Sequence, residues 1–161
     1  MPSLRASATL KRSCSNPAAP PPAPSRSFGL DYLGVSYGAS SAVVDASNLC
    51  VNVSVALSNS APVAGLYVVQ VYFSQSLSRY ARFQRMLAGF AKVAVPAGPG
   101  GAAQASVSIP YTDMAHWDPI GQQMFLEAGE YTITVCTSSD EATCAKANTH
   151  SIVVPQTVAG L

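Results

Sequence analysis

Residues 50–58, CVNVSVALS, constrain the fold more than any other stretch, because Val51, Val53, Val55 and Leu57 alternate with Asn52, Ser54 and Ala56. Side chains on a strand point alternately to two faces, so this run buries one face and leaves the other wet. Turn residues follow at 59–65, NSAPVAG, and residues 66–73, LYVVQVYF, then read as a strand that is apolar at nearly every position. A strand central in its sheet has that pattern. Further strands are predicted at 90–95, 102–109, 131–136 and 151–154, with an opening strand near 28–36 and turns at 96–101 and 127–130.

Seven short strands at this spacing, with no strongly amphipathic helix, predict an all-β protein: a two-sheet sandwich of the immunoglobulin or fibronectin type III-like kind. The interruption is residues 74–88, SQSLSRYARFQRMLA, longer than an ordinary hairpin connection. Long loops on a rigid scaffold are where function concentrates. Half of the twelve prolines lie in residues 1–24, and a Pro/Ala/Ser-rich run favours extended chain without core periodicity. Residues 1–27 are therefore expected to be a disordered tail, either a linker or a targeting segment, preceding a domain over 28–155 and a short tail at 156–161.

Composition removes several function classes. The chain is 48% hydrophobic and only 11% charged, so it should fold, with a surface of Ser, Thr, Ala and Gly. Residues 1–27 carry four basic side chains and no acid, whereas residues 28–161 carry five basic and eight acidic ones, a net of about −3. The expected domain thus lacks the basic face that neutralises phosphates, and nucleic acid is not an expected partner. No stretch approaches the roughly 20 apolar residues of a membrane helix, and no membrane partner is expected. Arg5, Lys11 and Arg12 interrupt any secretory h-region, so the compartment stays open. Of the cysteines, Cys14, Cys50, Cys136 and Cys144, none forms a C-x-x-C pair, which argues against zinc. Cys136 and Cys144 flank a turn-rich stretch and could close a hairpin as a disulfide or remain reduced, according to compartment. No metal or cofactor site is expected.

The motifs go further than the strand count. AGxxVVQVY at 64–72 holds Gly65, Gln70 and Tyr72; LAGFAKV at 87–93 holds Gly89, Phe90 and Lys92; Trp117-Asp118 follows; and EAGEY at 127–131, with Gly129 and Tyr131, precedes Ser138-Ser139-Asp140. In this order they resemble the fibronectin type III-like module of family-three glycoside hydrolases over about residues 28–155. The resemblance implies a parent of the β-glucosidase or β-xylosidase type, acting in carbohydrate metabolism and extracellular as a rule, whose catalytic residues lie in other domains. It implies the catalytic domains of such a hydrolase as partner, with a polysaccharide or oligosaccharide as a second candidate. The sequence departs from the family pattern at 78–83, which lacks an Arg-Pro pair, and at Cys136, where the family commonly has Gly.

Candidate contact residues are Arg79, Tyr80, Arg82, Phe83 and Arg85, since guanidinium forks and aromatic rings suit either a sugar or a neighbouring domain; the plainer reading folds the aromatics onto the sandwich. Asp118 is expected to hold the turn before Pro119, with Trp117 packed at a sheet edge. No Ser lies in a nucleophile elbow, and no catalytic residue is expected. Asn52-Val53-Ser54 is an N-glycosylation sequon on the outward face of its strand.

Overall fold

The computed structural model describes residues 33–80, 82–139, 144 and 148–161. β1 (Val35–Asp45), β2 (Cys50–Asn59) and β5 (Gly101–Pro110) form one sheet, with β2 in the middle. β4 (Met86–Val95), β3 (Gly65–Ser74), β8 (Gly129–Cys136) and β9 (Thr149–Val154) form the other, in the order β4-β3-β8-β9. All pairings are antiparallel. These seven strands are the expected all-β sandwich.

The period-two pattern does what elementary geometry requires. Val51, Val53, Val55 and Leu57 are at most 2% exposed and meet Val69, Val71, Phe73, Tyr131, Ile133 and Val135 of the opposite sheet in one core cluster. Each such side chain contributes about 1.5–3 kcal/mol by leaving water. The intervening residues of β2 and β5, such as Asn52, Ala56, Gln104 and Ser106, face outward. A register shift between Val71 and Tyr72 sets Val71 against Gly89 and Tyr72 against Leu87, which leaves Ala88 as an extra residue. Val71 and Phe73 point into the core, whereas Tyr72 faces outward and is buried beside the Arg85 guanidinium, 5.6 Å from its ring centroid. At the open side of the sandwich the Ser40 hydroxyl donates to Asn148 Oδ1 (3.0 Å) and lies 2.7 Å from His150 Nε2, tying β1 to β9.

Several boundaries move. The opening strand is Val35–Asp45 rather than 28–36: its register runs through a bulge between Tyr37 and Ser40, and its Ser/Gly/Ala content hides the alternation. Residues 1–27 and 28–32 lie outside the described residues. β4 begins at Met86, four residues earlier than expected, because the bulge at Ala88 breaks the period. Beyond the seven strands, the one-turn helix α1 (Tyr111–Met114) leads into a small third sheet of β6 (His116–Asp118), β7 (Gln123–Leu126) and β10 (Val158–Ala159), ordered β10-β7-β6. Residues 156–161 thus include a paired strand, with Val158 opposite Leu126 and Ala159 opposite Phe125.

Candidate functional site

In the connection from β3 to β4, Ser78, Arg79, Tyr80 and Arg82 are held by polar contacts against the third sheet and its flanks. Glu127, at the end of β7, is 7% exposed. Its carboxylate accepts from the Ser78 hydroxyl (2.9 Å) and the Arg79 backbone N–H (3.4 Å), and pairs with Arg79 Nε (3.3 Å). Its carbonyl accepts from the Tyr131 hydroxyl at 2.8 Å, the backward bond that fixes a tyrosine corner in such sandwiches. Burial pushes the Tyr131 phenol up to about 12, so it remains a donor.

Tyr80 folds inward. Its ring packs on His116 (4.9 Å between centroids) and Phe125 (5.7 Å), and its hydroxyl donates to Asp118 Oδ1 at 3.1 Å. Asp118 also accepts from the Ile120 N–H at 2.9 Å, the expected turn-holding bond. That N–H, with the Gly121 N–H and the Tyr80 hydroxyl, holds the Asp118 carboxyl below its ordinary range. Arg82 donates through Nη1 to the Met114 carbonyl (3.2 Å) and through Nη2 to His116 Nδ1. Burial, then the Arg82 charge, lowers the His116 pKa, so the imidazole is neutral and its Nδ1 accepts.

Arg85 is tied at the other end. Cys136 and Cys144 form a disulfide; Arg85 Nη1 donates to Cys144 Sγ (2.9 Å) and Nη2 to the Ser139 carbonyl (3.2 Å), with the guanidinium 5.6 Å from the Tyr72 ring centroid. Of the five loop candidates only Phe83 projects without a polar tether, 81% exposed between the anchored Arg82 and Arg85. Arg79 is also exposed but is engaged by Glu127. Of the loop's two aromatic candidates, Tyr80 packs on the fold and Phe83 is exposed.

The motif residues fall into three groups. Gly129 and Tyr131 build the corner: Gly129 has φ +142°, which L side chains rarely adopt. Gly89 lets the sheets approach, since a Cβ there would sit 2.9 Å from Val107 Cγ1. Gly65 opens β3. Gln70, Phe90 and Lys92 lie on the outer face of the four-stranded sheet, where Gln70 accepts from the Tyr72 hydroxyl. Trp117 does not pack as expected: it is 56% exposed on β6, an edge strand of the small sheet. Asn52 is exposed on the outer face of β2. Glu127 and His116, which organise the loop, escape sequence reasoning; Glu127 reads as part of a turn, and only its place directly after the apolar Met124-Phe125-Leu126 hints at burial.

Two surface features remain. Leu66, Val68, Leu87 and Phe90, each at least 40% exposed, make an apolar stripe on the outer face of β3 and β4. Beside it a groove of about 940 Å³ runs between residues 82–85 and the disulfide, floored by Tyr72, Thr132, Thr134 and Thr149.

A three-strand sheet β1-β2-β5 packed on a four-strand sheet β4-β3-β8-β9, with a tyrosine corner, defines a sandwich of the fibronectin type III class. Residues 67–139 match the family described as the fibronectin type III-like domain. The chain therefore carries a fibronectin type III-like domain of the kind found in family-three β-glucosidases. It is 37% identical over 89 residues to the probable β-glucosidase G of Aspergillus terreus, a match covering 55% of this chain and 11% of that protein. It is 36% identical over 115 residues to the probable β-glucosidase K of Emericella nidulans, covering 69% of this chain and 12% of that one. Among solved structures, the β-glucosidase of Kluyveromyces marxianus superposes with TM-score 0.71 at 27% identity, over 83% of this chain and 16% of that one. The family-three β-glucosidase of Bifidobacterium adolescentis superposes with TM-score 0.70 at 27% identity, over 80% and 18%. The chain thus corresponds to a small part of each.

Proposed function

We propose that this chain is a non-catalytic accessory module of a glycoside hydrolase of the β-glucosidase or β-xylosidase type, and that it packs against the catalytic domains. The observation that carries the reading is the apolar stripe Leu66–Val68–Leu87–Phe90, left open on a domain that matches only 11–18% of those β-glucosidases. Exposed apolar side chains gathered on one sheet face, with polar neighbours such as Gln70 and Lys92, mark an interaction site. The chemistry of the loop agrees. Retaining hydrolysis needs two carboxyl groups about 5–5.5 Å apart across the scissile bond, whereas Asp118 is engaged by its own turn and Glu127 by residues 78–79. Arg79, Tyr80, Arg82 and Arg85 then serve to fix the loop, and Phe83 presents the contact surface toward a domain or a sugar.

The test is a chimera in which this chain replaces the corresponding domain of one of the matching β-glucosidases. The chimera should fold and retain activity, and Phe90→Asp with Leu66→Asp should lower its melting temperature while leaving the isolated chain's unchanged. A chimera indifferent to those substitutions would overturn the docking face.

A further inference from the structure

The groove beside the apolar stripe is floored by side chains that the docking stripe does not include. Tyr72, Thr134 and Thr149 stand in register on β3, β8 and β9, with Ser74 and Thr132 in the next cross-strand row. All five line the groove. The alternation of β8 turns Tyr131, Ile133 and Val135 into the core and therefore Thr132 and Thr134 outward, so the floor is a ladder of hydroxyls on a rigid sheet. One wall is Arg85, held by Ser139 and the disulfide. Phe83 also lines the groove, 81% exposed between Arg82 and Arg85, whose guanidinium groups are tethered to the Met114 and Ser139 carbonyls.

An exposed phenyl ring on an anchored loop, lining the same groove as a row of hydroxyls, matches the two faces of a pyranose: an apolar C–H face that stacks on an aromatic ring and an equatorial rim that exchanges hydrogen bonds with hydroxyls and guanidinium. The volume, about 940 Å³, lies at the upper end of the roughly 300–1,000 Å³ range of small-molecule sites. We infer that this groove binds a short neutral β-linked oligosaccharide, with Phe83 as the stacking platform and Thr134, Thr149 and Arg85 as polar contacts. The choice of a neutral β-linked sugar rests on the glycoside hydrolase reading above; the binding itself is independent of whether the stripe docks.

The test is calorimetric titration of the full chain with cellotetraose and xylotetraose, with an acidic uronate tetramer as the third arm. Saturable binding of a neutral tetramer is expected, weakened about tenfold by Phe83→Ala and further by Thr134→Val, with unchanged melting of the Phe83→Ala variant because that side chain touches little of the fold. No heat with any neutral sugar overturns the inference, as does binding that Phe83→Ala leaves intact; binding of the uronate alone overturns the neutral assignment. A chimera that fails while the isolated chain still binds sugar would sink the docking face and leave the groove standing.

Discussion

The sandwich and the cap beside it, the latter being residues 75–85 with the third sheet, are held by different forces. In the sandwich, Val51, Val53, Val55, Ile109 and Ile133 are essentially out of water, and the hydrophobic term dominates. The cap contributes Leu126 to that core, but the loop itself is fixed by Glu127, by the Arg82–His116 contact and by the Tyr80–Asp118 bond. Apolar burial is non-directional and tolerant, whereas a buried polar contact fails when one partner is removed. The contrast teaches that the domain can keep its fold while its contact loop is loosened, which separates stability from function experimentally.

Ile109→Ala should produce the largest change. With its side chain fully buried, truncation costs about 2–5 kcal/mol, and denaturant melts followed at sandwich and cap should shift together. Cys144→Ser opens a disulfide of sequence separation 8, expected to cost about 2–3 kcal/mol on a chain-entropy basis; the matched check is that reductant lowers the melting temperature of the native chain and not of the variant. Glu127→Gln should cost about 1–3 kcal/mol, and its signature is local. Amide exchange should quicken across residues 75–80 while β2 and β5 stay protected; uniform quickening would erase the distinction between the two regions.

The smallest effect is one of pH. His116 has a folded pKa below its ordinary 6.5, so the folded state binds its proton more weakly than the unfolded chain. Its contribution is fully present above about pH 6.5 and is lost as pH falls from there through the folded value. Loosening of the Arg82 contact in that window, followed by the ring protons of Tyr80, should vanish in His116→Phe.

The same division explains what the sequence makes legible. Period-two runs in β2, β5, β8 and β9 and the near-continuous apolar run of β3 announce themselves, because strand geometry writes burial directly into residue order. β1 hides, since Ser, Gly and Ala carry its outward and bulged positions. β6, β7 and β10 are three, four and two residues long, too short for a period, and β10 finds its partner from the far end of the chain. In the loop, Arg79, Tyr80, Arg82, Phe83 and Arg85 stand out in the sequence by type, but the partners of the tethered ones, such as Glu127, His116, Met114 and Ser139, are distant in sequence. Local pattern carries no record of such pairings, so the direction each side chain takes could not be read.

The most direct test of the central claim, that this domain acts without catalytic chemistry of its own, is incubation of the purified chain with aryl β-glucosides and β-xylosides. Release of the aryl alcohol at the uncatalysed rate is the predicted result. Turnover proportional to chain concentration, and abolished by Asp118→Asn or Glu127→Gln, would contradict it.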